Sequence, residues 1–229
     1  VYVLTLPGFD GRPAVAGKGM AAALDSVREL IASRKLVKPV LIGHSLGGMI
    51  ALDLAAHSPE LVGGVVTLDG LPLMPGSEQW KPEQRGEMAV AMASRMKASS
   101  QAAFAAQQQG YMRMMGVTDM SRADALAELT GRSDPNAVTS YAVDAMGVDL
   151  RTALPAIKAP VLVIAPYFEP DAGQRQITQA MTIEYYRGLM EGTPNVQVVS
   201  VAPARHFAMF DQPQMVNDAI AAFLKSLPK

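Results

Sequence analysis

The stretch Val40-Leu41-Ile42-Gly43-His44-Ser45-Leu46-Gly47-Gly48 passes from aliphatic residues into a glycine-flanked serine and continues as Met49-Ile50-Ala51-Leu52-Asp53-Leu54-Ala55-Ala56. That order reads as a strand, a sharp turn and a helix. So tight a turn lifts a serine hydroxyl clear of a sheet only where neighbouring residues lack side chains, and Gly43 and Gly47 meet that need. A helix opening at Leu46 also aims unpaired N–H groups and the positive end of its dipole at any negative charge that develops beside Ser45.

Outward from this turn, strand and helix patterns alternate. Val1-Tyr2-Val3-Leu4-Thr5-Leu6 is expected to be a buried strand ending at Pro7-Gly8. A helix with Met20, Leu24, Val27, Leu30 and Ile31 on its sheet-facing side follows. Beyond the turn, Ser58-Pro59 ends the second helix, and residues 62–68 form the next strand, closed by Asp69-Gly70. Residues 160–165 and 196–201 continue the sheet, separated by a helix with Ile177, Met181, Tyr185 and Leu189 inward. Residues 211–227 end the pattern as a helix with Val216, Ile220, Phe223, Leu224 and Leu227 inward. The expectation is an α/β fold: a doubly wound, mostly parallel sheet that binds ligands at the carboxyl ends of its strands, where Ser45 and Asp69 fall.

Between residues 72 and 147 the strand pattern stops, and alanine, methionine and glutamine dominate helical segments. This predicts a helical cap insertion at 72–147 in a core made of 1–71 and 148–229. Ser121 and Asp134-Pro135 mark helix starts within it. Met88, Met92 and Met96 recur at helical spacing and are expected to pack the insertion onto the main domain.

Composition narrows the chemistry. A chain of 229 residues supports one sizeable core with an insertion. Its formal charge of −1, spread without basic or acidic blocks, gives no support for a nucleic-acid partner and favours a small-molecule one. There is no cysteine, which removes thiolate chemistry and disulfides. His44, His57 and His206 lie outside any close cluster of carboxylates, so no metal site is expected. No run of about 18 apolar residues is present, so no membrane span is expected. The first residue is Val1 rather than Met, which leads us to expect that an N-terminal segment has been lost.

Leu6-Pro7-Gly8-Phe9, Gly43-His44-Ser45-Leu46-Gly47-Gly48 and Ala204-Arg205-His206-Phe207 together resemble the α/β-hydrolase family over most of the chain. The resemblance implies a triad in the order Ser, acid, His, a lid where the helical insertion falls, and no cofactor. Ser45 is the expected nucleophile, and a serine hydroxyl needs a base within hydrogen-bond reach. His206, in a loop after a strand, is the expected base. His44 precedes the nucleophile within the turn, where its ring is expected to point away from the hydroxyl, and His57 lies at the far end of the following helix. For the acid, Asp69 ends the strand after the turn, a placement that some family members use. Glu169 lies where most members carry theirs, although Gly-x-x-Asp is here Pro166-Tyr167-Phe168-Glu169, followed by Pro170. Asp69 is placed first, Glu169 close behind and Asp171 third, while Asp149 is assigned a structural role. The N–H of Leu46 is the expected oxyanion donor.

The function expected from these residues is a serine hydrolase cleaving a small carboxylic ester, thioester or lactone through an acyl-enzyme. The same triad also serves C–C bond hydrolases and peptidases, and the fold also serves as a non-catalytic ligand-binding or receptor module. Matched to the family, the Val1 strand comes immediately before the helix that leads to the elbow. An upstream segment is therefore expected, carrying an apolar strand that lies between the Val1 and Val40 strands and a glycine-containing loop that gives a second oxyanion N–H.

Overall fold

A computed structural model describes residues 1–96 and 100–228. In chain order its first elements are α1 (Gly19–Ser33), β1 (Val40–His44), α2 (Leu46–His57) and β2 (Gly64–Leu68). The helical stretch holds α3 (Pro82–Met96), α4 (Gln101–Tyr111), a π-helical turn (Met112–Gly116), α5 (Met120–Thr130) and α6 (Pro135–Gly147). Then come β3 (Val161–Pro166), α7 (Glu169–Ala172), α8 (Gln179–Leu189), β4 (Val196–Val201), α9 (Ala208–Asp211) and α10 (Pro213–Ser226). Among the described residues no helix is long and apolar enough to cross a membrane.

The chain divides into two compact units. One comprises Val1–Leu36, Leu73–Met114 and Ser121–Asp149, and the other Val37–Pro72, Met115–Met120 and Leu150–Lys229. Residues 1–36, expected with the sheet, thus cluster with the helical stretch, and Met115–Met120, expected in the insertion, cluster with the sheet.

In the first unit α6 packs against both α1 and α3. Asp134 caps α6 by accepting from the N–H groups of Asn136 (2.8 Å) and Ala137 (3.2 Å), with Pro135 at the first helical position, as the sequence predicts. Ser121 lies inside the first turn of α5 rather than capping it. Buried Arg85 donates to Asp149 at 2.8 Å, which gives Asp149 the structural role expected of it. Residues 1–6 form no strand, contrary to expectation, and Val1, Tyr2 and Val3 are exposed. An apolar run becomes a strand only where a neighbour completes its ladder, and among the described residues none pairs with this one.

The second unit is built on a four-stranded parallel sheet in the order β1-β2-β3-β4. β2 is buried throughout and β3 almost so, which is why both read as largely aliphatic runs rather than alternating ones. β1 and β2 pair from Val40↔Gly64 to His44↔Leu68, so the residues following them, Ser45 and Asp69, emerge side by side. The core joins Val66, Leu68, Leu162, Ile164 and Val201 to Val216 and Phe223 of α10. Two predicted helix faces need correction. Leu224 of α10 is exposed. On α8, Met181 and Tyr185 face solvent while Tyr186, Leu189 and the following Met190 are buried, so the inward face is offset by about one residue.

Candidate functional site

The carboxyl ends of β1 and β2 form the first half of the site. The ladder runs one residue past each strand: Ser45 N–H donates to Leu68 O at 2.8 Å and Asp69 N–H to Ile164 O at 2.9 Å. Both residues then turn with positive φ, +52° at Ser45 (ψ −120°) and +48° at Asp69. A side chain at such angles costs on the order of 1–3 kcal/mol, and the surrounding packing must hold it there. Glycines make that packing possible. A Cβ on Gly43 would lie 2.2 Å from the carbonyl carbon and oxygen of Gly47, and one on Gly70 would lie 2.7 Å from Ser45 O and from Gly48 Cα. The Ser45 carbonyl accepts from Gly48 N–H (2.9 Å) and Met49 N–H (3.1 Å), which starts α2. Leu46, as its first residue, has an N–H with no acceptor inside the helix.

His206, in the loop after β4, forms the other half. Its Nδ1 donates to Asp69 Oδ2 at 2.6 Å, with both side chains 17% exposed. This bond fixes the neutral ring as the Nδ1–H tautomer and makes Nε2 its basic nitrogen. The second carboxylate oxygen of Asp69 accepts from the Tyr186 hydroxyl. His44 stands directly behind His206. Its Nε2 donates to His206 O at 2.9 Å, and its ring lies 4.5 Å from the His206 ring and 4.4 Å from Phe207. Burial, then the nearby His206, lower the His44 pKa to about 4, against the smaller raising effects of its hydrogen bond and of Asp69. His44 is therefore a neutral ring that holds the backbone of His206.

The rest of the His206 loop is fastened by side chains and by backbone bonds. Asp211 accepts from Thr118 N–H (2.9 Å), Thr118 Oγ1–H (3.0 Å) and Arg205 N–H (2.8 Å). His206 N–H and Phe207 N–H donate to the carbonyls of Met115 (3.2 Å) and Gly116 (2.9 Å). Arg205 forms a two-point ion pair with Asp171 (2.7 and 2.9 Å) and stacks on Phe168. Of the three acid candidates, the structure brings Asp69 to His206, engages Asp171 with Arg205, and puts Glu169 at the exposed start of α7. His57, half-exposed at the end of α2, pairs with Asp53 at 2.9 Å. Among the described residues no three His, Asp or Glu side chains are grouped so as to hold a metal. Sequence reasoning missed Tyr186, Asp211 and Thr118. Each acts across a long stretch of chain, and no local sequence pattern marks any of them.

A parallel sheet with flanking helices, a serine in left-handed backbone at a strand-to-helix elbow, and an Asp–His pair on the neighbouring strand end and loop define an α/β protein of the nucleophile-elbow class. Residues 1–219 match the model of the alpha/beta hydrolase family, and the chain belongs to that family. Its curated relatives include the biotin biosynthesis bifunctional protein BioHC of Cellvibrio japonicus, 26% identical over 99% of this chain and 42% of that protein. Another is a pimeloyl-[acyl-carrier protein] methyl ester esterase of Yersinia pestis, 30% identical over 36% of this chain and 32% of that protein. The chain thus spans less than half the length of these two relatives. Among solved structures, the enol-lactonase of Burkholderia xenovorans superposes with a TM-score of 0.75 at 19% identity, over 96% of this chain and 79% of that one. At that identity the likeness is one of fold.

Proposed function

We propose that this protein is a serine hydrolase that cleaves a small carboxylic ester, thioester or lactone through an acyl-enzyme, with Ser45, His206 and Asp69 as its triad. The observation that carries the reading is the 2.6 Å bond from His206 Nδ1 to Asp69 Oδ2 on the strand end next to a left-handed Ser45. The name of one relative, a methyl ester esterase, supports a carboxylic ester as the substrate class.

In this mechanism His206 Nε2 takes the proton of Ser45 Oγ as that oxygen attacks the acyl carbon. Asp69 stays ionised, holds the ring in its Nδ1–H tautomer and stabilises the imidazolium. The carbonyl oxygen, now an oxyanion, accepts from Leu46 N–H at the positive end of α2. Collapse breaks the bond to the leaving oxygen or sulfur, which receives the proton from His206 Nε2 and departs. A water, deprotonated by the same nitrogen, then attacks acyl-Ser45, and collapse releases the acid while His206 Nε2 returns the proton to Ser45 Oγ.

The test is labelling with a fluorophosphonate together with turnover of activated esters and lactones of increasing acyl length. Wild type should label and turn over, and Ser45→Ala should do neither, with at least about a thousandfold loss of kcat. His206→Ala should lose about as much. Asp69→Asn should cost orders of magnitude where Glu169→Gln is mild. An unlabelled, inactive wild type would instead favour a ligand-binding module, and the reverse order of the two carboxylate variants would move the acid to Glu169.

A further inference from the structure

We infer that Tyr186 is a positioning residue of the proposed triad, acting on His206 through Asp69. The inference rests on the triad reading above and adds to it a residue from α8, a helix that the reading does not otherwise use.

Tyr186 is 8% exposed, in a helix whose adjoining exposed tyrosine, Tyr185, meets it edge-on at 5.9 Å. A buried phenol needs a partner for its hydroxyl, and this one donates to Asp69 Oδ1. The two oxygens of Asp69 are thereby divided: Oδ1 is held by Tyr186, and Oδ2 is left facing His206 Nδ1. A carboxylate held at only one oxygen can rotate about its Cβ–Cγ bond. Held at both, it presents one lone pair to the imidazole in a fixed direction, which is the task of the acid in such a site. The donor is also permanent. Burial foremost, then the charge of Asp69 and the hydrogen bond to it, raise the Tyr186 pKa well above its ordinary value, so the hydroxyl keeps its proton at any working pH. The same bond draws charge from Asp69 and so sets how strongly the carboxylate pulls on the His206 Nδ1 proton.

Tyr186→Phe keeps the ring and its packing while removing only the hydroxyl. Losing a hydrogen bond to a charged group at a catalytic site should lower kcat on an activated ester about tenfold, with KM within about twofold. In an Asp69→Asn background the same change should cost less than about twofold, because its route to His206 is already cut. The proton resonance of His206 Nδ1–H in the resting enzyme should move by at least about 0.3 ppm in Tyr186→Phe, since the partner of that proton has changed in basicity. Unchanged kcat in Tyr186→Phe, or an equal loss in both backgrounds, would overturn the inference. If Asp69→Asn is itself fully active, the triad reading falls rather than this coupling. The resonance then decides alone: a shift keeps Tyr186 linked to His206 through Asp69, and an unmoved signal removes the link.

Discussion

The elbow at Ser45 and the loop at His206 solve one problem, fixing a side chain at the end of a parallel sheet, by different means. The elbow is held by backbone. Ladder bonds reach Ser45 and Asp69, and Gly43 meets Gly47 while Gly48 meets Gly70, at spacings where a Cβ would fall 2.2 to 2.9 Å from main-chain atoms. The loop adds to its two backbone bonds, on Met115 and Gly116, a set of side-chain ties: His44 on the carbonyl of His206, Asp211 on three donors, and the Arg205–Asp171 pair. Steric fit of backbone on backbone tolerates no substitution and is indifferent to pH. A network of hydrogen bonds and charges degrades in steps and responds to protons.

The first way to break this comparison is Gly43→Ala. The added carbon would lie 2.2 Å from Gly47 C and O, atoms that cannot move without unwinding the start of α2. We expect destabilisation of about 4 kcal/mol or more, with loss of any esterase activity, read by urea unfolding. A variant that folds within about 1 kcal/mol of wild type would mean that the elbow is not sterically fixed.

The second concerns pH and acts through His44, the last residue of β1, whose ring fastens the loop. His44 has its pKa lowered from its ordinary value of 6.5 to about 4 by burial and by His206, so the fold prefers the neutral ring. A lowered folded-state pKa means that the unfolded chain binds the proton first as pH falls. The stability that His44 contributes is therefore complete above about 6.5 and is lost progressively between about 6.5 and 4, by at most about 3 kcal/mol. His44→Gln keeps a donor for His206 O and removes the titration. Its stability, followed by thermal or urea unfolding from pH 8 to pH 4, should fall less steeply than wild type across that window. Parallel curves would show that His44 is not the proton-sensitive group.

The same contrast explains what could be read without a structure. Gly43, Ser45 and Gly47 are neighbours in sequence, and their spacing implies the turn, so the elbow was legible. The four strands were too, because apolar runs bounded by Gly, Pro and Ser carry the signature of buried parallel strands. The loop was not. Tyr186 lies 117 residues from Asp69, and Thr118 lies 93 from Asp211, so no local pattern joins them. Residues 1–6 show the opposite failure: a strand-forming composition that, among the described residues, has no partner to complete the ladder. The choice among Asp69, Glu169 and Asp171 had the same origin, since all three follow strand ends and only side-chain geometry tells them apart.

A third measurement grades the network. Asp211 receives two bonds from Thr118 and one from Arg205 N–H, and removing its carboxylate strands donors in a half-buried loop. Asp211→Ala should cost about 2 kcal/mol and lower kcat severalfold, with Asp211→Asn between it and wild type. A graded series is what a side-chain network predicts. An all-or-none response would instead make the loop resemble the elbow.

The smallest expected effect lies under the elbow. Thr67 on β2 is fully buried, and among the described residues its Oγ1 has no hydrogen-bond partner. It packs where a Cβ on Gly48 would come within 3.1 Å of its own Cβ, so its shape supports the approach of α2 to the sheet while its hydroxyl does nothing for it. A buried hydroxyl without a partner pays a desolvation cost and returns nothing, whereas a methyl group of the same shape fills the space and adds apolar contact. Thr67→Val should therefore be neutral or stabilising, by up to about 1 kcal/mol, with kcat unchanged. The corresponding deletion in the loop, Thr118→Val, removes a hydroxyl bonded to Asp211 at 3.0 Å and should be destabilising. Opposite signs for two identical substitutions, measured side by side in urea, would put the distinction between shape and hydrogen bonding on a single scale. If Thr67→Val costs more than about 1 kcal/mol, the elbow also depends on a polar contact, and the contrast between the two regions fails.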